Sequence, residues 1–426
     1  MLVLSVCLCR FVYPQEAGGA GGLTLSLDDA VRLGVENSLD LRSSRMSLSS
    51  AEFSANRLWA QVFPTISASV GTNYSGGPLF SDGSASPDFR SSASAGISLD
   101  LNAGLPFAMR NITLAYQTRL LNYEVAQKQL ERDITRNFYS LIADGNRLNV
   151  LGETLNQVQQ QYERDMVAFN NGRINELTLM DSSLAVESAR LDRNSAQLAY
   201  SNSMNAFFVL IGMEDHDNVQ LVGEIAVEKI ELDAEQLINE HLAGRPDIVG
   251  SRRNVENMEN ESRRQSFAGK APSLSIGANW NSSLDSPFTD SVGGSATLRI
   301  PINPWIPGTT QNQSIRNANL AVEQAKLELQ RAETDAATQI RSLAESLNGL
   351  WESIEIARLR LGVAQRRYQL AETAFRNGTV DSQRLETARN SFVDARQRVL
   401  QSEFSYLSTI LDISAALNMG WKELMP

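Results

Sequence analysis

The residue types that carry out chemistry in proteins are rare or poorly placed in this chain of 426 residues. Its two histidines, His216 and His241, have no nearby cysteine or histidine that would complete a zinc site. The two cysteines, Cys7 and Cys9, lie close to the start of the chain. The glycine run at 18–22 lacks the lysine of a phosphate-binding loop. We therefore predict no catalysis, no cofactor and no bound metal.

The balance of charge excludes one class of partner. The chain has 38 Lys and Arg against 49 Asp and Glu, for a net charge of -11. Such a surface does not suit the phosphate backbone, so we expect no nucleic-acid partner. The sequence contains no run of the roughly 18 apolar residues that a membrane-spanning helix needs. A membrane-crossing part would therefore have to be built from β-strands.

The first 22 residues differ in composition from the rest of the chain. Residues 1–12 are mostly apolar, and residues 14–22 are small and turn-rich. This pattern is typical of a secretory leader, whose removal would leave no cysteine in the mature chain. The alternative is a buried strand or helix. Lipidation at either cysteine is less favoured, because the large residues Val6 and Leu8 precede them.

Two halves of the chain share one order of motifs. Segment 162–172 resembles segment 368–378, with a Tyr, an Ala-Phe pair and an Asn-Gly pair at identical positions. The Pro64 region matches the Pro272 region at almost the same offset. Because repeats define the architecture, we predict a leader at 1–22 followed by one repeat at 23–220 and another at 221–426.

After each of these prolines the hydrophobic period changes to two, which indicates β-strands. We predict four strands in two hairpins, at 64–76, 91–103, 272–284 and 291–303. One face is apolar, and the other is made of Ser, Thr, Gly and Asn with few charges. This composition suits a membrane strand around a wet interior, although a soluble sheet packed on helices is the alternative. Four strands cannot close a barrel alone, so a membrane barrel would have to be shared between subunits, and a trimer would supply twelve strands.

The rest of each half is predicted to be helical. Opening helices are expected at 27–61 and 233–269, and long coiled-coil hairpins at 106–212 and 309–420. In the second hairpin the apolar residues recur every three or four positions without a break, as in a coiled-coil seam. The ascending helix of each hairpin ends at Asn-Gly, where glycine suits a left-handed terminal residue.

In this order and duplication, the sequence resembles the TolC-like outer-membrane efflux protein family. The most specific segment is Arg245-Pro246-Asp247-Ile248, and the proline–strand junctions and the Asn-Gly tips also fit. The resemblance implies a mainly α protein with a transmembrane β part: a homotrimer with a twelve-stranded barrel and a periplasmic α-barrel. It further implies location in the outer membrane with a long periplasmic extension, contact with outer-membrane lipid, and passive export driven by an inner-membrane transporter. A periplasmic adaptor (membrane fusion protein) would dock on the helical tips.

The resemblance also suggests functional residues at the tips. The adaptor-contact positions would be Asn171, Gly172, Arg173, Asn377, Gly378 and Thr379. Candidate pore-constricting residues are Asp181, Asp381 and Arg384. The second tip departs from the family pattern, because Arg384 and Thr387 stand where acidic residues are common. A mixed ring of Asp181 and Arg384 is therefore our hypothesis for closure.

Two other functions remain as alternatives. A periplasmic adaptor also contains a helical hairpin, but it usually has one, flanked by small β-domains. A coiled-coil structural protein of the cell envelope would account for the heptads but not for the leader or the strands.

Overall fold

The computed structural model describes residues 23–75, 88–213, 219–284 and 289–424. The first half contains β1 (Leu23–Leu25), α1 (Leu27–Asn37), α2 (Leu39–Ala55), β2 (Thr65–Ser75), β3 (Asp88–Asn102), α3 (Leu105–Asn170) and α4 (Glu176–Ile211). The second half contains β4 (Val219–Leu221), α5 (Ala234–His241), α6 (Pro246–Lys270), β5 (Ser273–Ser283), β6 (Thr289–Arg299), α7 (Thr310–Arg376) and α8 (Ser382–Leu417). This is the predicted fold class, mainly helical with two long hairpins and four paired strands. The predicted leader and His216 lie outside the described residues.

Each opening segment, predicted as one helix, is divided in the structure. At 27–61 the helix breaks at Ser38, whose hydroxyl accepts a hydrogen bond from the Leu41 backbone N–H at 3.2 Å and so caps α2. Beyond Ala55 the chain continues as a short 3-10 helix, Leu58–Val62. At 233–269 the break precedes Pro246, which occupies the first turn of α6 where a missing N–H is tolerated.

The helices form a single row. α3 and α7 contain 66 and 67 residues, so each is about 100 Å long. α4 and α2 pack along one side of α3, and α8 and α6 pack between α3 and α7. The order across the row is therefore α2 or α4, then α3, then α6 or α8, then α7. No helix among the described residues is both long enough and apolar enough to span a bilayer.

The four long strands form one antiparallel sheet in the order β2-β3-β5-β6. The hairpins pair Ser69 with Ser94 and Asn279 with Gly293, and β3 joins β5 between them. The strands β2 and β6 are the two edges. A separate short parallel pair, β1 and β4, connects the start of the first half to the start of the second.

The two main hydrophobic cores lie about halfway along the length of the long helices α3 and α7. One cluster contains Phe138, Phe207 and Ile211, from α3 and α4. The other surrounds Tyr406 of α8, which is fully buried and accepts a hydrogen bond from the Ile230 backbone N–H at 2.9 Å. The extended linker between β4 and α5 is thereby fixed against α7 and α8.

Candidate functional site

The first hairpin tip closes with a Schellman motif. Gly172 has φ +71°, a conformation that a residue with a Cβ adopts only with strain. Its N–H donates to the Phe169 carbonyl, and the Arg173 N–H donates to the Ala168 carbonyl, each at 2.8 Å. The Ala-Phe and Asn-Gly pairs of the repeated motif therefore supply the acceptors and the turn of one cap.

The second tip repeats this geometry. Gly378 has φ +70°, and its N–H donates to the Phe375 carbonyl at 2.9 Å. The Thr379 N–H and hydroxyl both donate to the Ala374 carbonyl at 2.9 Å. All six residues predicted as adaptor contacts, at 171–173 and 377–379, are exposed. The two tips thus present similar backbone turns with different side chains, an arginine on one and a threonine on the other.

The residues predicted to close the pore fall into two groups. Asp381 is the N-cap of α8, and its carboxylate accepts a hydrogen bond from the Arg384 backbone N–H at 2.9 Å. Asp181 and Arg384 are exposed, on α4 and α8. Within the described part of this one chain no ion pair joins them. The first tip uses Asn175 as the cap equivalent to Asp381, accepting from the Thr178 N–H at 2.9 Å.

A polar cluster that sequence reasoning missed lies just above the tips. Asp165 on α3 is only 4% exposed, and its carboxylate accepts hydrogen bonds from the Ser182 hydroxyl and from the Gln161 amide. Arg389 on α8 is 9% exposed and lines the same small cavity, where the two hairpins converge. The described residues offer no hydrogen-bond partner to its Nε atom. Burial lowers the pKa of Arg389, while nearby Glu386 opposes that shift.

A signal for this cluster was present in the sequence. Asp165 falls in the apolar phase of α3, after Val158 and Tyr162 and before Phe169. An ionisable residue in the apolar phase of a coiled coil is buried by its position, so it needs hydrogen-bond partners. The tyrosine of the second tip, Tyr368, also joins the hairpins, with its hydroxyl 3.4 Å from Gln157 of α3.

One face of the sheet is lined by small polar side chains. Four cross-strand rows on this face contain only Ser, Thr, Gly and Asn: Thr65–Ser98–Gly277–Ser295, Ser67–Gly96–Asn279–Gly293, Ser69–Ser94–Asn281–Ser291 and Gly71–Ser92–Ser283–Thr289. Charged residues stand beyond these rows, with Arg90 on one side and Asp100 and Arg299 on the other. The opposite face exposes large apolar residues, including Ile66, Val70 and Val292.

Large apolar side chains are also exposed on three helices, in runs that step by seven residues. They are Leu39, Met46 and Phe53 on α2, Leu177, Leu184, Leu191 and Leu198 on α4, and two separate runs on α7, Leu320 and Leu327, then Ile356, Val363 and Leu370. We call these the outer stripes. They lie on the two ends of the helical row.

Among the residues that the structure describes, no group of three or more His, Cys, Asp or Glu could hold a metal ion. His241 is half-buried and lies 3.9 Å from the exposed carboxylate of its neighbour Glu240, a local contact. What the arrangement offers instead is a polar surface along the sheet and a long helical wall.

Comparison with known proteins agrees with this architecture. The family model for outer membrane efflux proteins matches residues 31–213 and 237–419, one match in each half. The toluene efflux pump outer membrane protein TtgC of Pseudomonas putida is 23% identical over 93% of this chain and 84% of its own length. The probable outer membrane lipoprotein SilC of Salmonella typhimurium is 23% identical over 91% of this chain and 85% of its own length.

Solved structures show the same fold. A crystal structure of CusC superimposes with a TM-score of 0.75 at 18% identity, covering 95% of this chain and 96% of that one. The CmeC outer membrane channel of Campylobacter jejuni gives a TM-score of 0.73 at 18% identity, covering 92% and 85% of the two chains.

Proposed function

The chain belongs to the outer membrane efflux protein family, and we propose that three copies of it assemble into one export duct. Membership makes it an outer-membrane channel subunit of an efflux system, with its helices extending into the periplasm. A channel fold carries solutes and does not by itself convert them, so we expect no catalysis. The adaptor and coiled-coil alternatives are not favoured, because the family match extends over both halves.

The exposed apolar residues of the outer stripes are the main support for assembly of several copies into one ring. On α4 the four stripe leucines are each between 65% and 68% exposed. At 100° per residue, Leu184 lies about half a turn from Ser182, which faces α3. α4 therefore has two opposite contact faces, of which this chain covers one. A helix in a cylindrical wall needs two such faces, since it has a neighbour on each side.

The stripes also specify how copies would join. α2 and α4 end the row on one side, and α7 ends it on the other. Heptad leucines on facing helices bury each other as coiled-coil knobs, which is favourable by about 25 cal/mol per Å² of apolar surface removed from water. We infer that α2 and α4 of one copy pack on α7 of the next. This contact is head-to-tail, and such contacts form a ring when the rotation between copies closes, as the sheet requires here.

The sheet requires the same closure. Its end strands β2 and β6 each pair with only one neighbouring strand in the described part of the chain. Exposed sheet edges are not tolerated in hydrocarbon. Pairing β6 of one copy with β2 of the next satisfies both edges, and three copies give twelve strands around the small polar face. Solutes would pass along this face and between the helices.

We propose functional roles for the tips on the same basis. The exposed turns at 171–173 and 377–379 are placed to contact a periplasmic adaptor, and an inner-membrane transporter would supply the energy. For closure we retain Asp181 and Arg384, whose side chains are exposed near the tips. Asp381 is better explained as a helix cap than as a free charge. We also keep the division into a leader at 1–22 and repeats at 23–220 and 221–426.

The trimer can be tested with a double substitution, Leu184→Arg and Leu191→Arg, on the α4 stripe. We expect the wild-type protein to have the mass of three chains in detergent by light scattering, and the variant that of one. Ser183→Arg is the matched control, because this exposed residue lies about 100° around the helix from Leu184. A variant that keeps the wild-type mass would refute the proposed seam.

A further inference from the structure

The loop that follows β6 exposes an unusual amount of apolar surface. Its sequence at 300–308 is Ile-Pro-Ile-Asn-Pro-Trp-Ile-Pro-Gly. The exposed fractions of Ile300, Ile302 and Trp305 are 64%, 68% and 65%. Large apolar side chains grouped in this way mark a surface that is covered in the working protein.

This loop is held by its own hydrogen bonds. The Thr309 hydroxyl donates to the Asn303 carbonyl at 2.6 Å and to the Ile306 carbonyl at 3.0 Å. The Asn312 amide donates to the Pro304 carbonyl at 3.1 Å, and Pro304 is buried. Side chains at the start of α7 thus satisfy the loop carbonyls from inside. A rigid loop with satisfied backbone and outward apolar side chains is suited to contact with lipid.

The direction in which the loop faces follows from β6. Side chains alternate along a strand, so Leu298 and Ile300 lie on the apolar face, opposite Thr297 and Arg299. Leu298 and Ile300 are both more than 60% exposed. Ile302 lies two residues further along the chain, beyond the end of β6, and is also exposed, so apolar side chains of the loop adjoin the apolar face of the sheet.

A cation lies at the edge of this loop. The Lys270 ammonium group is 5.2 Å from the centre of the Trp305 ring, within the range of a cation–π contact. Among the described residues no carboxylate lies within salt-bridge distance of Lys270. A lysine beside an interfacial tryptophan is placed at the depth of lipid phosphates.

We propose that the loop at 300–306 inserts into the periplasm-facing leaflet of the outer membrane, and that Lys270 binds the phosphate of an anionic glycerophospholipid above Trp305. This goes beyond membrane location, since it names the depth-setting residues and a preference for lipid charge. It rests on the proposed trimer, which places the apolar face of the sheet outwards.

The competing occupant is the neighbouring copy. Closure of the sheet would bring the segment before β2, residues 57–63, near this loop. That segment is Arg-Leu-Trp-Ala-Gln-Val-Phe, with no carboxylate to pair with Lys270. Charge complementarity therefore favours a lipid phosphate over the neighbouring subunit.

The depth of the loop can be measured by fluorescence. The chain has five tryptophans, Trp59, Trp280, Trp305, Trp351 and Trp421. A variant that keeps only Trp305 would be reconstituted in vesicles of phosphatidylcholine brominated either near the head group or near the chain end. We expect stronger quenching by the shallow bromines, and little quenching of a matched variant that keeps only Trp421. An unquenched Trp305 in a preparation that is trimeric by mass would overturn the proposal, whereas a monomeric preparation would refute the proposed trimer instead.

The role of Lys270 has its own test. Binding of phosphatidylglycerol to the trimer would be measured by native mass spectrometry for wild type, Lys270→Gln and Lys270→Arg. We expect phosphatidylglycerol to bind about fivefold more weakly to the glutamine variant, because one near-surface cation is lost. The arginine variant keeps the charge and should bind almost normally. The control is Lys326→Gln, which removes a lysine that is paired with Glu259 and Glu323, about 24 Å along α7 from its start. Equal phosphatidylglycerol binding by Lys270→Gln and Lys326→Gln would refute the lipid site.

Discussion

The buried cluster above the tips gives a quantitative prediction for Ser182→Ala. Ser182 donates a hydrogen bond to Asp165, a carboxylate that is almost fully buried and has one other side-chain donor among the residues described, Gln161. A hydrogen bond to a charged group contributes about 1.5–3 kcal/mol, and the loss of the donor also leaves the carboxylate under-solvated. The free energy of local opening around the first tip should fall by about this amount.

This loss should be visible in native-state hydrogen exchange. A fall of about 1.5–3 kcal/mol raises the population of the open state by a factor of roughly 13 to 160. The backbone amides of α3 and α4 next to the cluster should exchange faster by that factor, while amides around Phe138 stay unchanged. Ser183→Ala, at the exposed neighbouring position, is the control and should leave exchange unaltered.

The same assay can refute the reasoning. If Ser182→Ala and Ser183→Ala exchange alike, the buried carboxylate does not depend on this hydroxyl. A second check is the pair of substitutions Asp165→Leu and Ser182→Ala. Because the two residues interact directly, their combined effect should be smaller than the sum of the single effects. Additive effects would contradict the contact.

Three further predictions follow from other residues. Arg389→Met removes a buried guanidinium whose Nε atom has no hydrogen-bond partner among the described residues. The free energy of unfolding should therefore rise by about 1–3 kcal/mol in a denaturant titration, and a destabilised variant would contradict this. Gly378→Ala forces a Cβ into φ +70° and should cost about 1 kcal/mol in the same titration, whereas no change would argue against the left-handed turn. Arg264 and Gln265 hold the pKa of Glu261 down to about 2, so Glu261 stabilises the fold fully above its unfolded pKa near 4.5 and loses this effect as the pH falls towards 2. Glu261→Gln should therefore flatten the pH dependence of the unfolding midpoint in that window, and an unchanged slope would exclude this contribution.

Much of the fold was predictable because the repeat sets it. The proline junctions, the period-two strands and the heptads each occur twice, and each has a local physical cause. The helix break at Ser38 could not be predicted from the sequence. A serine followed by good helix formers can either continue a helix or cap a new one, and tertiary packing determines which of the two occurs. The break before Pro246 is easier to predict, because proline disfavours helical geometry at the residue that precedes it.

The site was less predictable than the fold. The tip turns at Gly172 and Gly378 follow from their sequence, since both need a left-handed residue. Whether Asp181 and Arg384 meet depends on how copies pack around the axis, which local patterns do not encode. Asp381 illustrates the difficulty, because an aspartate three residues past a glycine can cap the next helix as readily as face a pore. Asp165 and Arg389 lie in the apolar phases of α3 and α8, which indicates burial but does not identify the partners of either side chain.

Single-channel recording in planar bilayers tests the central claim most directly. Protein purified from the outer-membrane fraction, with the mass of three chains, should insert and give discrete conductance steps. The double variant Leu184→Arg and Leu191→Arg should give none, because the outer stripe of α4 can no longer join α7 of the next copy. A wild-type trimer that inserts without conducting, or a monomeric protein that conducts equally well, would contradict the account.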